Sequence, residues 1–392
     1  MKIIIQVYLY AIKVIAVDNV YKGNDFMTII VIFGTRPEAI KMCPLILKLK
    51  METNIKCIVC LTGQHKEMLE QVMETFKIQA DYNLSIMKDN QTLSWITTSI
   101  LQKMDEIIEK EKPNLVLVHG DTTTSFSAAL SAFYHSIPIG HVEAGLRTYD
   151  LNCPFPEEFN RQTIDILAKY YFTPTEETKK NLLKEKVDEK YIYVTGNTVI
   201  DALRTTINNE YTNSELEWVG KSRLILVTVH RRENLGLPME RIFAALKRIV
   251  EDNEDAKIIY PVHKNPAIRK LAKKYLGDNL RIHLIEPLDV FDFHNFMSRS
   301  FIILTDSGGI QEEAPALGKP VLVMRDKTER QEGVKAGTLK LVGTSESSIY
   351  YETSKLLRDK NYYESMSKAV NPYGDGHASE KIVEAIKEIY NL

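Results

Sequence analysis

Neither sign of charge dominates this sequence: 50 Lys and Arg stand against 52 Asp and Glu, a formal charge of -2 over 392 residues. That balance leaves no electrostatic footprint for a nucleic-acid backbone or an anionic membrane, so an anionic ligand must be held by local groups. Cysteine is scarce too. Four thiols in so long a chain make no disulfide framework, and Cys43, Cys57, Cys60 and Cys153 fall in apolar or motif-rich segments, the habit of reduced thiols. Cys57 and Cys60 lie three apart in IKCIVCL, which reads as a strand and sends them to opposite faces; with no second cysteine pair, no metal site is expected. Long apolar runs are missing as well. The nearest, IIIQVYLYAIKVIAV, is broken by Gln6 and Lys13, has no small-residue cleavage site before Lys22, and is shorter than the ~20 residues a membrane helix needs. The chain is therefore expected to be cytoplasmic, with residues 1–27 an appended segment, and removal of residues 1–26 is expected to leave folding and activity intact. Met27 stands as a second candidate start. Only 18 Gly and 14 Pro exclude a collagenous or low-complexity chain.

What is present is a soluble, two-domain pattern. The length exceeds what one hydrophobic core usually organises. From Thr28 onward, short Val- and Ile-rich runs alternate with amphipathic stretches, as in a parallel sheet covered on both faces. The runs are TIIVIF, IKCIVCL, LVLVH, IPIGHV, YYFT and YIYVT, then LILVTV, KIIYPV, RIHLIE, FIILTD, PVLVM and LKLVG. Two such sets, separated near Gly196 to Asn209, predict an α/β chain with two doubly wound Rossmann-like domains facing one another across a cleft. The boundaries are placed at 28–196 and 197–376, with a terminal helix at 377–392 that could pack back on the first domain. Pro37 suits a first helical turn, and Thr175 and Asp289 read as N-caps.

Polar motifs follow the strands, where a doubly wound sheet opens its ligand crevice. FGTRPEAIKM brings Arg36 and Lys41 to a helix start, a guanidinium fork and a point charge suited to a phosphate or carboxyl group. HGDTTT and HVEAGLRT place Asp121 and Glu143 at strand ends, and PFPEEFNR puts Glu157 and Glu158 in a first helical turn with Arg161 one turn on. A lone carboxylate of this kind is usually ion-paired. Three at one sheet edge suit proton transfer, because crowded carboxylates push one another's pKa apart into an acid and a base. In the second half, HRREN carries His230 beside two arginines and PVHKNP carries His263. TDSGGIQEEAP offers Ser307, Gly308 and Gly309 at a helix start, with Glu312 and Glu313 a turn in and Arg330 following in TER. Neither GxGxxG nor GxxxxGK[ST] occurs, so dinucleotide and P-loop readings lose support. The inventory fits a nucleotide sugar, its diphosphate at Arg36 and Ser307 and its sugar against the carboxylates.

These blocks, with TGNTVID and NPYGDG, occur from Thr28 to the C-terminus in an order that closely resembles the non-hydrolysing UDP-N-acetylglucosamine 2-epimerases. The resemblance implies a GT-B-type fold, a homodimer, and reversible epimerisation of UDP-GlcNAc to UDP-ManNAc without a cofactor, by UDP elimination to 2-acetamidoglucal and re-addition. It implies that Asp121, Glu143 and Glu157 supply acid and base, with Asp121 and Glu157 the first choices for the C2 proton. Lys41 lies near the sugar and His230 supports the departing diphosphate. Arg36, Ser307, Gly308, Gly309 and Arg330 bind phosphates, Arg161 assists at the substrate, Glu313 takes the ribose, and Leu288 with Phe293 lines the uracil pocket. The alternatives are a hydrolysing epimerase releasing ManNAc and UDP, a non-catalytic nucleotide-sugar-binding protein, and a glycosyltransferase of the same fold. HVEAGLRT argues against the first and the intact set of acids against the second. Some relatives use a second UDP-GlcNAc as activator. The positions that would hold it keep Gln64, Arg231 and His263 but carry Glu67 and Asn90, so UDP-ManNAc alone is expected to be converted.

Overall fold

In the strand β1 (Met27–Phe33), Ile29, Val31 and Phe33 pack into one core cluster and Ile30 and Ile32 into another, so the period-two alternation of a strand fills two separate apolar layers. Each fully buried Ile, Val or Phe contributes roughly 1.5–3 kcal/mol, which is why such strands hold the middle of a covered sheet. The computed structural model describes residues 26–63, 66–88, 91–328 and 330–392. Residues 1–25, the bulk of the expected appended segment, lie outside the described residues. β1 takes in Met27, one residue earlier than expected, because its buried side chain joins the core and its backbone pairs opposite Ile55.

The first sheet continues with β2 (Ile55–Leu61), β3 (Tyr82–Asn83), β4 (Leu115–His119), β5 (Ile139–Val142), β6 (Tyr170–Thr173) and β7 (Ile192–Val194), all parallel in the order β3-β2-β1-β4-β5-β6-β7. The second contains β8 (Arg223–Thr228), β9 (Ala256–Pro261), β10 (Ile282–Ile285), β11 (Ile302–Thr305), β12 (Val321–Val323) and β13 (Leu339–Leu341), parallel in the order β10-β9-β8-β11-β12-β13. The chain reverses direction across each sheet at one point, between β1 and β4 and between β8 and β11. The loops leaving these four strands are FGTRPE, HGDTTT, HRREN and TDSGG. Both switch points, where strand ends leave a crevice, therefore carry the polar motifs. Helices on both faces complete two doubly wound domains of GT-B type.

The chain crosses between the sheets at Gly196 and returns at Tyr373 and Gly374. The crossings touch: the Asn197 N–H donates to the Tyr373 carbonyl at 2.7 Å, and a Cβ on Gly196 would meet the Gly374 Cα at 3.2 Å. Both glycines sit at positive φ, which a side chain would strain. The terminal helix Ala378–Tyr390 then buries Ile382, Val383, Ala385 and Ile386 in the core beneath the first sheet. Asp201 caps it by accepting from the N–H groups of Ala378 and Ser379, and Lys48–Glu380 and Lys387–Glu52 pairs tie its flanks to the helix Arg36–Met51 and the residue that ends it. Among the described residues no helix is long and apolar enough to cross a membrane.

Candidate active site

The first loop is set by a carboxylate that never reaches the cavity. Thr35 caps the helix Arg36–Met51, and the buried Glu38 reaches back to accept from the N–H groups of Gly34 and Thr35 at 3.0 and 2.8 Å. Its other oxygen accepts from Thr122 and Ser125 hydroxyls at 2.6 and 3.0 Å, welding the loop after β1 to the loop after β4. The two sit this close because residue 34 is glycine: a Cβ there would stand 2.0 Å from the Thr62 hydroxyl oxygen and 2.6 Å from that of Thr124. Arg36 and Lys41 thereby face the cleft, Arg36 from the first residue of the helix and Lys41 a turn and a half later.

One compartment of about 560 Å³ takes two of the three acids expected in the first domain, Asp121 and Glu143, and Glu157 is not part of its lining. Asp121, Glu143 and Arg161 line it together with Thr148, Cys153, Asn197, Glu312 and Arg330. Glu143 adopts φ 68°, a left-handed conformation unusual for a non-glycine, held by N–H donation to the Phe172 carbonyl at 3.0 Å. Burial would push its carboxyl up, but the Lys41 ammonium pairs with it and holds it at about 2, ionised at neutral pH. The buried His119 stands 3.6 Å away and is held neutral, near 3, by loss of hydration. Asp121 goes the other way: burial raises its pKa, with Arg161 opposing at 2.5 Å and the charges of Glu143 and Glu157 adding to the rise. Glu157 is half-buried at the start of the helix Glu157–Leu167. Its neighbour Glu158 turns inward and accepts from the N–H groups of Thr148 and Tyr149, fixing the loop that walls the compartment. An ionised carboxylate and one shifted toward its protonated form thus share one cavity, the split that acid–base chemistry uses.

The second compartment, about 580 Å³, opens between the domains and is more apolar. Arg36, Leu288, Phe293, Ser307, Gly309, Glu313 and His230 line it, with His263 stacked on His230 at a centroid distance of 5.7 Å. Gly308, between two of these, completes the turn into the short helix Ile310–Ala316. The buried Asp306 accepts from the N–H groups of His230 and Arg231 and from the Asn234 amide, so the HRREN loop is built onto the TDSGG strand. The adjacent glutamates of QEEAP part: Glu313 faces this compartment within 3.5 Å of His294, while Glu312 turns to the other and pairs with Arg330 at 2.8 Å. Arg330 lines both, so the compartments adjoin at this residue.

Of the expected site residues, Asp121, Glu143, Arg161, Arg36, Lys41, His230, Leu288, Phe293, Ser307, Gly309, Glu313 and Arg330 line the two compartments, Glu157 and Gly308 do not, and several residues that organise the cleft did not stand out in the sequence. Asp306, His119 and Asn197 were hidden because their partners come from loops far along the chain, whereas Glu38 had the local signal of a capping box with Thr35 but not of its bonds to Thr122 and Ser125. Hidden too was Asp165, which bonds His141 at 2.6 Å while His141 bonds the Gly120 carbonyl at 2.7 Å, bracing the loops of Asp121 and Glu143. For Asp306 and Asn197 the local signal was an acid or amide inside a strand-end motif. Cys57 and Cys60 pack into opposite faces of β2, their thiols pushed up to about 12 by burial. Among the described residues no cluster of His, Cys, Asp or Glu could hold a metal ion. Of the positions expected to govern activation, Gln64, Asn90 and the Glu67 side chain lie outside the described residues, Arg231 lines the carboxylate compartment and His263 the other.

Comparison with known proteins follows this geometry. A family model described as UDP-N-acetylglucosamine 2-epimerase matches residues 47–387. The UDP-N-acetylglucosamine 2-epimerase of Bacillus subtilis is 56% identical over 360 residues, covering 92% of this chain and 95% of that protein. Among solved structures, S. aureus MnaA in complex with UDP superposes with a TM-score of 0.85 at 50% identity, covering 94% of this chain and 98% of that one. The UDP-GlcNAc 2-epimerase of Neisseria meningitidis bound to UDP-GlcNAc gives 0.82 at 47% identity, covering 92% and 100%.

Proposed function

The chain belongs to the UDP-N-acetylglucosamine 2-epimerase family and is an isomerase, and from that premise we propose that it interconverts UDP-GlcNAc and UDP-ManNAc by elimination and re-addition of UDP. A carboxylate takes the C2 proton, the bond from C1 to the diphosphate breaks, and UDP departs to leave 2-acetamidoglucal with a C1–C2 double bond. UDP then adds back at C1 while C2 is protonated on its other face. No cofactor takes part.

One observation carries this reading: a diphosphate lying at Arg330 would have a base-and-ribose compartment on one side and a carboxylate compartment on the other. Leu288 and Phe293 would take the uracil, Glu313 the ribose hydroxyls, and Arg36, Ser307, Gly308, Gly309 and Arg330 the phosphates. His230 would support the charge that builds on the leaving diphosphate. Asp121 and Glu157 would exchange the C2 proton. The Lys41–Glu143 pair would hold the sugar in register and keep Glu143 charged, and Arg161 would keep Asp121 from protonating permanently. The enzyme would work as a cytoplasmic homodimer that feeds cell-envelope polysaccharide synthesis.

The test is incubation with UDP-GlcNAc alone in heavy water, followed by NMR. UDP-ManNAc should form with deuterium at C2 of both sugars. Free ManNAc would mean the hydrolysing reaction, dependence on an acceptor a transferase, binding without turnover a regulator, and product without deuterium would eliminate the proton-transfer route.

A further inference from the structure

We infer that Asn197 is a positioning residue for catalysis, an amide at the domain crossing that holds a carboxylate of each domain in fixed relation to the other. The inference rests on the epimerase reading above and names a residue which that reading does not use. Asn197 is 4% exposed, and each of its polar groups is committed. Its N–H donates to Tyr373 on the returning chain at 2.7 Å, and its side-chain oxygen caps the helix Thr198–Thr206 by accepting from the Val199 N–H at 3.0 Å. Its Nδ2 donates twice, to Glu143 Oε2 at 2.9 Å and to Glu312 Oε2 at 2.7 Å. A primary amide has two hydrogens, so one nitrogen serves both acceptors.

The result is a chain across the cleft, cation, carboxylate, neutral amide, carboxylate, cation: Lys41, Glu143, Asn197, Glu312, Arg330. Glu143 follows β5 of the first sheet, and Glu312 follows β11 of the second. Two buried carboxylates this near would repel. Here each has a cation on its far side and a common donor between them. Because Asn197 directly follows Gly196 where the chain crosses, a rotation of one domain about the crossing would displace the donor from at least one of the two acids. The correct placement of Glu143 is thereby tied to the same domain arrangement that brings Arg330 to the diphosphate. Turnover should depend on Asn197 and nucleotide binding should not, since the uridine compartment does not include it.

Two substitutions separate this role from a purely structural cap. Asp and Ser cap a helix about as well as Asn, so Asn197→Asp and Asn197→Ser keep the cap and remove only the donation to the two carboxylates. Both variants should lower kcat tenfold or more with KM within about threefold, and UDP affinity by calorimetry should stay within about twofold. Asn197→Asp also adds a negative charge facing Glu143, which Lys41, His119, Asp121, Glu312 and Arg330 already surround, so the acid limb of its kcat profile should move to higher pH than in wild type. If either folded variant turns over like wild type, or if both lose UDP binding in step with kcat, Asn197 is only a cap and the inference fails. Should Asn197→Asp not fold, the Ser variant decides. A wild-type enzyme that forms no UDP-ManNAc would instead overturn the proposed function, before any variant is compared.

Discussion

Replacing Lys41 by methionine should convert Glu143 from a stabilising group into a destabilising one. Glu143 is held at about 2, against an ordinary value of 4.5, because the buried Lys41 ammonium outweighs its loss of hydration. A carboxyl depressed in the folded state stabilises the fold when ionised. Its contribution is complete above about pH 4.5 and is lost as pH falls through 2. Holding a carboxyl at about 2 instead of 4.5 corresponds to about 3 kcal/mol, at 1.36 kcal/mol for each tenfold change in proton affinity. Breaking a buried pair by removing one partner independently suggests about 3–5 kcal/mol. In Lys41→Met the strongest influence opposing burial is gone, and what remains is weaker, His119, itself held neutral, and Arg330, with the Asn197 amide, so the pKa of Glu143 should rise above the ordinary range. The sign then reverses: the neutral form is favoured in the folded state, and stability recovers as pH falls from 7 toward 5. Urea unfolding at pH 7 should therefore show a loss of about 3–5 kcal/mol, visibly smaller at pH 5, and the double variant Lys41→Met/Glu143→Gln should regain most of it because no unpaired charge remains. An equal loss at both pH values, or no recovery in the double variant, would refute the account of the pair.

Other expectations follow from the same geometry. Asp121→Asn and Glu157→Gln should each lower turnover by about 10² or more, the usual worth of a positioned acid or base, with UDP affinity by calorimetry unchanged; turnover within a few-fold of wild type would return that residue to a structural role. Gly34→Ala should cost about 1–3 kcal/mol in unfolding and weaken UDP binding, because its Cβ must drive apart the Thr62 and Thr124 hydroxyls, themselves 3.1 Å apart, and carry Arg36 with the loop. Saturating UDP should reduce the radius of gyration in small-angle scattering, since the nucleotide compartment takes Arg36 from one domain and Ser307, Glu313 and His230 from the other; identical curves would argue against ligand-driven closure.

The sequence by itself determined most of the strands and which polar motifs stand at their ends. Apolar runs of period two and continuous Val and Ile stretches mark local structure, and a strand buried on both faces needs little else to be recognised. The exception is β3, two residues whose pairing with β2 leaves no periodicity to read. Arg36, Asp121, Glu143, His230 and Ser307 were legible because polar residues directly after a buried strand stand where a parallel sheet opens. Which strands are neighbours was not legible, and on that depends which loops meet. Lys41 and Glu143 are 102 positions apart, and Asn197 and Glu312 are 115. No local pattern encodes such pairs, because they arise only when right-handed crossovers place β4 beside β1 and β11 beside β8. The same holds for Glu312 and Glu313, adjacent in sequence and both acidic, which a helical turn of about 100° directs into different compartments. The fold alone decided that one meets the ribose-sized pocket and the other the carboxylates, and that a glycine-flanked amide at the crossing lies between the two domains' acids.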